Sequence, residues 1–240
     1  MPKTRFVVLN NPLNPTGVVV PDADLALLAE LCVANDLIAI CDEVWEQVVF
    51  APAVHRPLMG YPGMAGRCVK IGSAGKMFGL TGWKVGFMCA AAPLARHMAR
   101  AHQFLTFTTP PNLQVAVAFG LDTLGDWLAQ MPVGLAASQQ RLAEALTQEG
   151  FAVLPSQGTY FLNLDLAASG VTLADHAFAR LAVEQAGVAT IPVSALYETY
   201  PVTTILRLCF AKADTTLDEG AERLARARDL AAQAAGGRVI

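Results

Sequence analysis

The feature that most constrains this chain is a regular alternation of apolar runs and a helical segment along its first hundred residues. Runs of strand type occupy residues 5–9, 37–41, 68–71 and 85–90. A helical pattern occupies residues 22–34, with an aspartate at its start and leucines at helical spacing. Such alternation is typical of sheets whose neighbouring strands are parallel. We therefore predict the α/β fold class, with a mostly parallel sheet.

The pattern changes style in the second half of the chain. It is helical from residue 93 to about 149, interrupted by prolines, and then turns to short strands and two helices. We expect Thr172 to cap the first of these helices and Gly187 to end it. A boundary near Pro132 divides the chain into predicted domains 1–133 and 134–240. The expected elements of the second domain are strands at 151–154, 159–164, 188–191 and 205–210 and helices at 172–186 and 216–235.

Composition excludes several classes of function. The formal net charge is −3 and no basic run occurs, which argues against nucleic acid and anionic membranes as partners. No apolar stretch has the length of a membrane span or follows the N-terminus as in a signal peptide, so we expect a cytoplasmic protein. The five cysteines form no CxxC pair, and we expect buried free thiols. The histidines are scattered, so no metal site is predicted.

Chemically useful side chains follow the predicted strands, at the points where the strands end. The segment Asn-Asn-Pro-Leu-Asn-Pro-Thr-Gly follows the first strand and includes Asn14. Asp42 and Trp45 follow the second, and Ser73 and Lys76 follow the third. Because open α/β sheets bind ligands at the carboxyl ends of their strands, these loops indicate one site.

The groups in these loops match the needs of pyridoxal phosphate. Lys76 offers an amine that can form a Schiff base with the cofactor aldehyde. Asp42 can keep the ring nitrogen protonated, so that the ring accepts electrons. The Asn14 amide can donate to the ring oxygen, while Ser73 and Lys84 can bind the phosphate.

Each segment has an ordinary interpretation when it is taken alone. Asn-Pro-Thr-Gly is typical of a turn, Asp-Glu of a solvated loop, and Lys84 of an exposed surface. The hypothesis of a cofactor site therefore depends on the order of the segments, because three successive strand ends carry the required groups.

These segments resemble motifs of the class I and II aminotransferases, which are fold-type I pyridoxal-phosphate enzymes. Residues 11–17 match the family pattern N-P-x-N-P-x-G, and residues 73–86 resemble the segment around the Schiff-base lysine. Residues 42–45 match D-E-x-Y except at Trp45, where the family usually has tyrosine. The strand around Arg207 is similar to the one whose arginine binds the substrate carboxylate. The implied fold is part of the large domain followed by a small C-terminal α+β domain.

The resemblance also implies a role for each matching residue. Lys76 would be the catalytic lysine, and Asp42, Asn14, Ser73 and Lys84 would hold the ring and the phosphate. Trp45 would donate from its indole N–H in place of the tyrosine hydroxyl, which we expect to tune the cofactor. Arg207 would bind the substrate, although an arginine on an edge strand can also be a plain surface residue. The peptide bond before Pro15 is expected to be cis.

The implied activity is transamination between an L-amino acid and a 2-oxo acid, by a protein that forms homodimers. Details of the motifs resemble the kynurenine and methionine aminotransferases, which favours aromatic or sulfur-containing donors. A C–S β-lyase on the same fold would use the same residues, so it stays an alternative. A transcription regulator built on this fold is disfavoured, because no basic recognition helix is present.

Relatives of this family carry a long segment ahead of the first strand found here. That segment supplies a helix N-terminus for the phosphate and an aromatic ring above the cofactor. We therefore expect this chain to contain part of the pocket and to leave apolar sheet surface uncovered. A partial product, a chain that works by assembling with another chain, and a non-catalytic remnant are the three explanations left open.

Overall fold

A computed structural model of the protein describes residues 3–236 and contains a four-stranded sheet in each of two compact units. The first unit takes in the chain up to Asn14, Val18–Val133 and Gln157–Thr159. The second takes in Pro15–Gly17, Gly134–Ser156 and the chain from Tyr160 onward.

The first unit is built on a sheet with strand order β1-β2-β3-β4. The first three strands are parallel, and β4 runs antiparallel to β3. The elements are β1 (Phe6–Asn10), α1 (Asp22–Ala34), β2 (Ile38–Asp42), β3 (Cys68–Ser73), α2 (Ala74–Met77), β4 (Gly86–Ala90), α3 (Ala92–Leu105), α4 (Pro111–Thr123) and the start of α5 (Gly125–Gln148).

The sheet is mostly parallel, as expected, and β4 is its exception. A parallel connection needs a crossover of about a dozen residues or more, usually a full helix. Between Ser73 and Gly86 the chain forms only the single turn of α2 and a 3-10 turn at Thr81–Trp83. Such a connection is too short to carry the chain back across the sheet, so the strand returns beside β3 in the opposite direction.

The core of the first unit lies between α1 and one face of the sheet. Helix α1 begins and ends at the residues expected from its leucine spacing and its acidic start. The fully buried side chains of this cluster are Leu25, Ala29, Cys32, Ala39, Cys41, Leu58, Met64 and Cys68. Since apolar burial contributes about 25 cal/mol per Å², this cluster stabilises the face of the sheet against which α1 packs.

The opposite side of β1 is exposed. Val7 and Leu9 pack against the core cluster, whereas Phe6 and Val8 point to the other face and are 58% and 73% exposed. This agrees with the expectation of uncovered apolar sheet surface. An edge strand with apolar, exposed side chains favours association with another chain.

Two expectations about single residues were wrong. All five cysteines are free, but Cys89 is exposed because it lies on β4, at the edge of the sheet. The cis peptide bonds among residues 3–236 are Asn11–Pro12 and Ala51–Pro52, not Asn14–Pro15. The turn that contains Pro15 is closed instead by a hydrogen bond from the Leu13 amide to the Val18 carbonyl, 2.9 Å.

The second unit is built on an antiparallel sheet with strand order β5-β6-β8-β7. Helices α5, α6 and α7 belong to the same half of the chain, and α6 continues into one π-helical turn at Ala182–Ala186 that Gly187 ends in a left-handed conformation. The elements are β5 (Ala152–Leu154), β6 (Phe161–Asp165), α6 (Asp175–Leu181), β7 (Ile191–Pro192), β8 (Ile205–Cys209) and α7 (Asp214–Gly236).

Helix α6 begins at Asp175, not after Thr172 as the sequence suggested. The carboxylate of Asp175 is fully buried and accepts hydrogen bonds from the His176 amide (2.7 Å) and from the amide and hydroxyl of Ser194 (2.8 and 2.7 Å). These bonds fix the start of the helix and tie it to the turn after β7. The helix therefore begins where its backbone amide and a buried carboxylate are satisfied.

We predict that Asp175→Asn lowers the free energy of unfolding by about 2–3 kcal/mol. The asparagine NH₂ group would replace one carboxylate oxygen, and as a donor it would face the His176 and Ser194 donors that now bond to that carboxylate. Urea denaturation followed by circular dichroism measures this loss. Asp229→Asn makes the same chemical change at an exposed position of α7 and should cost less than about 0.5 kcal/mol. Equal losses in the two variants would contradict the role of Asp175.

Candidate active site

The parallel register brings the ends of β1, β2 and β3 to one edge of the sheet. Asn10 pairs with Asp42, and Asp42 pairs with Ile71. The Asp42 carbonyl accepts hydrogen bonds from the Asn11 amide and the Asn10 side chain, both 3.1 Å. Its carboxylate Oδ1 accepts weakly from the Val44 amide, 3.4 Å. The carboxylate of Asp42 is therefore fixed at the edge from which the loops leave the sheet.

Lys76 lies in α2, immediately beyond the end of β3. Its Nζ is 4.8 Å from the centroid of the Trp45 ring, within the range of a cation–π interaction. Trp45 is only 3% exposed, and its carbonyl accepts a hydrogen bond of 2.8 Å from the Val48 amide. A buried indole thus fixes one side of the lysine, so the segments that carry Asp42 and Lys76 meet in one place.

Ser73 and Lys84 lie on the same side of the first unit, at the β3–β4 connection. Ser73 is the last residue of β3 and pairs with Gly86, the first residue of β4. Lys84 precedes Gly86 by two positions and has a left-handed backbone with φ of 57°. The antiparallel pairing therefore brings the hydroxyl and the exposed ammonium to the same end of β3, next to α2.

Asn14 lies in the loop that follows β1. Its amide donates to the Asn10 side-chain oxygen, 2.8 Å, and its side chain is exposed. The loop therefore begins at the same sheet edge as Asp42. Asn14, Asp42, Trp45, Ser73, Lys76 and Lys84 all belong to the first unit.

Arg207 belongs to the second unit, on β8. Its pairing partners are Asn163 on β6 and Ile191 on β7. The guanidinium carbon lies 4.1 Å from the centroid of the Phe161 ring, a stacking arrangement that suits arginine. Burial lowers the pKa of Arg207 from its ordinary value. The side chain is thus partly buried in its sheet and differs from a fully solvated surface arginine.

Sequence reasoning missed a buried cluster next to Asp42. Glu43 is fully buried. A carboxylate oxygen of Glu43, a carboxylate oxygen of Glu46 and a ring nitrogen of His55 all lie within 4.8 Å of one another. The ammonium of Lys70 pairs with Glu46 and supplies a positive charge there. The spacing of these three residues along the chain follows no helix or strand period, so the sequence did not indicate that they would lie close together. The one usable hint was that Glu43 continues the buried face of β2 after Cys41.

A family model places the chain among known proteins. The model for aminotransferase class I and II matches residues 1–224. The chain belongs to the class I and II aminotransferase family.

Individual aminotransferases agree with this membership. The chain is 42% identical over 232 residues to the "Probable N-succinyldiaminopimelate aminotransferase DapC" of Mycobacterium tuberculosis, covering 93% of this chain and 58% of that protein. It is 36% identical over 222 residues to the methionine aminotransferase of Escherichia coli, covering 92% and 57%. Identity to the mouse kynurenine–oxoglutarate transaminase 3 is 33% over 243 residues, covering 94% and 53%.

The fold agrees as well. The solved structure of the N-succinyldiaminopimelate aminotransferase from Mycobacterium tuberculosis superimposes with a TM-score of 0.90 at 43% identity, over 95% of this chain and 59% of that one. The fold-type I architecture inferred from the sequence is therefore confirmed. The chain spans somewhat more than half the length of the relatives it matches. No helix within residues 3–236 is both long and apolar enough to cross a membrane.

We predict that Gly72→Ala destabilises the first unit by about 1–3 kcal/mol, the usual cost of overpacking. A Cβ on Gly72 would lie 2.3 Å from the Phe87 ring, which covers the strand next to Ser73. Thermal denaturation followed by circular dichroism measures the effect. Gly66→Ala is the matched control, because a Cβ there meets nothing within 4 Å. An unchanged midpoint for Gly72→Ala would contradict the close packing of β3 and β4.

Proposed function

We infer that this chain holds pyridoxal phosphate through Lys76 and takes part in the transfer of an amino group between an L-amino acid and a 2-oxo acid. The observation that carries this proposal is the meeting of Asp42, Trp45 and Lys76 at the ends of neighbouring parallel strands. Membership of the class I and II aminotransferases supports the same cofactor and reaction.

The side chains present fit the cofactor in number and chemistry. Lys76 would bind its aldehyde carbon, and the Asp42 carboxylate would keep the ring nitrogen protonated. Asn14 and the Trp45 indole N–H offer donors for the ring oxygen. The Ser73 hydroxyl and the Lys84 ammonium would bind the phosphate, because hydrogen bonds to a charged acceptor are stronger than neutral ones.

When bound, pyridoxal phosphate supplies an electrophilic carbon and a ring that accepts electrons. The protein groups perform the remaining tasks. Lys76 moves a proton to and from the α-carbon of the amino acid. The buried indole of Trp45 excludes water from one side of Lys76. Arg207 would bind the α-carboxylate of the substrate, because its planar fork matches a carboxylate in two hydrogen bonds.

The proposed donors are aromatic or sulfur-containing amino acids, as the motifs suggested. The relatives named for methionine and kynurenine support this choice. N-succinyldiaminopimelate is a second candidate, since the Mycobacterium tuberculosis relative named for it has the higher identity of 42%. Comparison of these donors with 2-oxoglutarate as acceptor decides between them. Release of pyruvate and ammonia without an acceptor would favour the C–S β-lyase alternative instead.

The catalytically active form is proposed to be a homodimer. Its active site would also need the part of the fold that the relatives have and that this chain does not span. This chain covers only 53–59% of the length of the relatives named above. Activity is therefore measured both on the 240-residue chain and after addition of the remaining part of a relative's fold as a second polypeptide.

We predict that Lys76→Ala abolishes the visible absorbance of lysine-bound cofactor and all amino transfer, because Lys84, the other amine assigned to the proposed site, would hold the phosphate instead. The spectrum of the 240-residue chain with pyridoxal phosphate measures the first effect. Lys212→Ala, an exposed position of the second unit, should leave the band in place. A band that persists in Lys76→Ala would overturn the assignment of the lysine.

We predict that Arg207→Lys raises the KM for the amino donor by about tenfold or more, with a smaller change in kcat. Lysine keeps the charge but cannot make two parallel hydrogen bonds, and one charged hydrogen bond contributes about 1.5–3 kcal/mol. Steady-state kinetics with varied donor concentration checks this. Arg226→Lys makes the same replacement on the exposed side of α7 and serves as the control. Equal KM values for wild type and Arg207→Lys would argue against carboxylate binding.

A further inference from the structure

A carboxyl group and an imidazole face each other in the interior of the first unit, beside the candidate active site. The distance from Glu43 Oε2 to His55 Nε2 is 3.7 Å, and the two side chains are 0% and 7% exposed. Neither of these two atoms has a hydrogen-bond partner among residues 3–236. Buried polar atoms without partners are rare and costly, so this pair requires an explanation.

The second ring nitrogen of His55 determines where its proton lies. Burial lowers the pKa of His55, and hydrogen bonding to the Asn11 backbone is a smaller influence that raises it. The Asn11 amide already donates to the Asp42 carbonyl, 3.1 Å, so the group that faces His55 is the Asn11 carbonyl. A carbonyl only accepts, so His55 carries a proton on Nδ1. In the neutral ring Nε2 is then unprotonated, and its lone pair points at Glu43.

The Glu43 carboxyl is equally constrained. Its Oε1 accepts a hydrogen bond of 3.2 Å from the Leu58 amide, which leaves Oε2 directed at His55. If Glu43 were ionised and His55 neutral, two lone pairs would face each other in a buried space. One proton between the two atoms removes this repulsion, and a movement of the ring toward Glu43 from 3.7 Å then completes a hydrogen bond that satisfies both groups.

The groups around the pair favour an uncharged or internally neutral arrangement. Glu46 and Lys70 lie next to it and pair with each other, so neither supplies a full counter-charge to Glu43. The Cys41 and Cys68 thiols, which are buried 3.8 Å apart, also interact electrostatically with Glu43. Burial raises the pKa of Glu43 to about 7 and lowers the pKa of His55.

We propose that Glu43 and His55 share one proton. This bond holds His55 against the end of β2, and the contact of His55 with the Asn11 backbone then connects the end of β2 to the loop after β1. The link runs from the Asn11 carbonyl through His55 to Glu43, whose backbone continues to Asp42 on one side and Trp45 on the other. If the proposed function is right, Glu43 and His55 are positioning residues: they set the distance between the Asn14 loop and the Asp42 and Trp45 side chains that would contact the cofactor.

The pair makes the stability of the first unit depend on pH. The raised pKa of Glu43 contributes stability that is full below its unfolded value and is lost as pH rises through about 7. The lowered pKa of His55 contributes stability that is present above its unfolded value and is lost as pH falls. Stability is therefore greatest where the pair holds one proton, on the acidic side of pH 7, and declines on both sides.

The first experiment uses the 240-residue chain labelled with ¹⁵N-histidine, without cofactor. Imidazole ¹⁵N spectra recorded across neutral pH report which nitrogen carries the proton, and His55→Gln assigns the signals. We expect Nδ1 to stay protonated and one shared proton to leave at a pKa that belongs to the pair. A neutral ring protonated on Nε2 would overturn the proposal.

The second experiment compares Glu43→Gln with Glu43→Ala. A glutamine amide can donate to His55 Nε2 and still accept from the Leu58 amide, so the link survives but no proton is taken up. The titration of His55 near neutral pH should therefore disappear in Glu43→Gln, and a titration equal to wild type would refute the shared proton. Glu30→Gln, at an exposed position of α1, is the matched control and should change nothing.

Glu43→Ala tests the link itself. The backbone amide shifts of Asn11, Leu13 and Asn14 should change at least threefold more in Glu43→Ala than in Glu43→Gln, because only alanine breaks the connection to His55. Unchanged shifts of this loop would contradict the link. If the alanine variant does not fold, the glutamine titration still decides the proposal.

These readouts need no cofactor, so they separate this proposal from the proposed function. Failure of the wild-type chain to bind pyridoxal phosphate would refute the function and leave the histidine result standing. Where the cofactor binds, its affinity should fall several-fold more steeply above neutral pH in wild type than in Glu43→Gln. Parallel curves for the two proteins would show that the pair does not position the site.

Discussion

The parallel pairing of β1, β2 and β3 is the constraint on which the rest of the candidate site depends. Main-chain hydrogen bonds set Asn10, Asp42 and Ile71 side by side, so three loops leave the sheet at one edge. A shift of one residue in this register would turn the Asp42 side chain to the other face. The backbone thus decides where the carboxylate lies, and the loops only need to supply the other groups.

The alternation of β2 explains why two adjacent carboxyl groups have different environments. Asp42 faces the edge with the predicted cofactor groups, whereas Glu43 continues the inward side of Cys41 and is fully buried. A buried carboxyl group is tolerated only when it is neutral or paired. The Leu58 amide meets part of that need, and the proton proposed to be shared with His55 would meet the rest.

Much of this arrangement could be predicted from the sequence, because it depends on local patterns. The bounds of α1 followed from its leucine spacing, and the strand ends near Asp42 and Lys76 followed from apolar runs that stop at polar residues. The roles of these side chains stay predictions. The direction of β4 was missed because it depends on the length of a connection. The proximity of Glu43 and His55 was missed because no helix or strand pattern relates their two positions in the sequence.

The antiparallel pairing of β3 and β4 also has a consequence for the order in which the site forms. Ser73, Lys76 and Lys84 lie within one short hairpin, so their approach closes a small loop, and the entropy lost in closing a loop grows only with the logarithm of its length. Contacts that are close in sequence form early in folding. The hairpin that carries the lysine can therefore assemble during synthesis before the small C-terminal unit has left the ribosome.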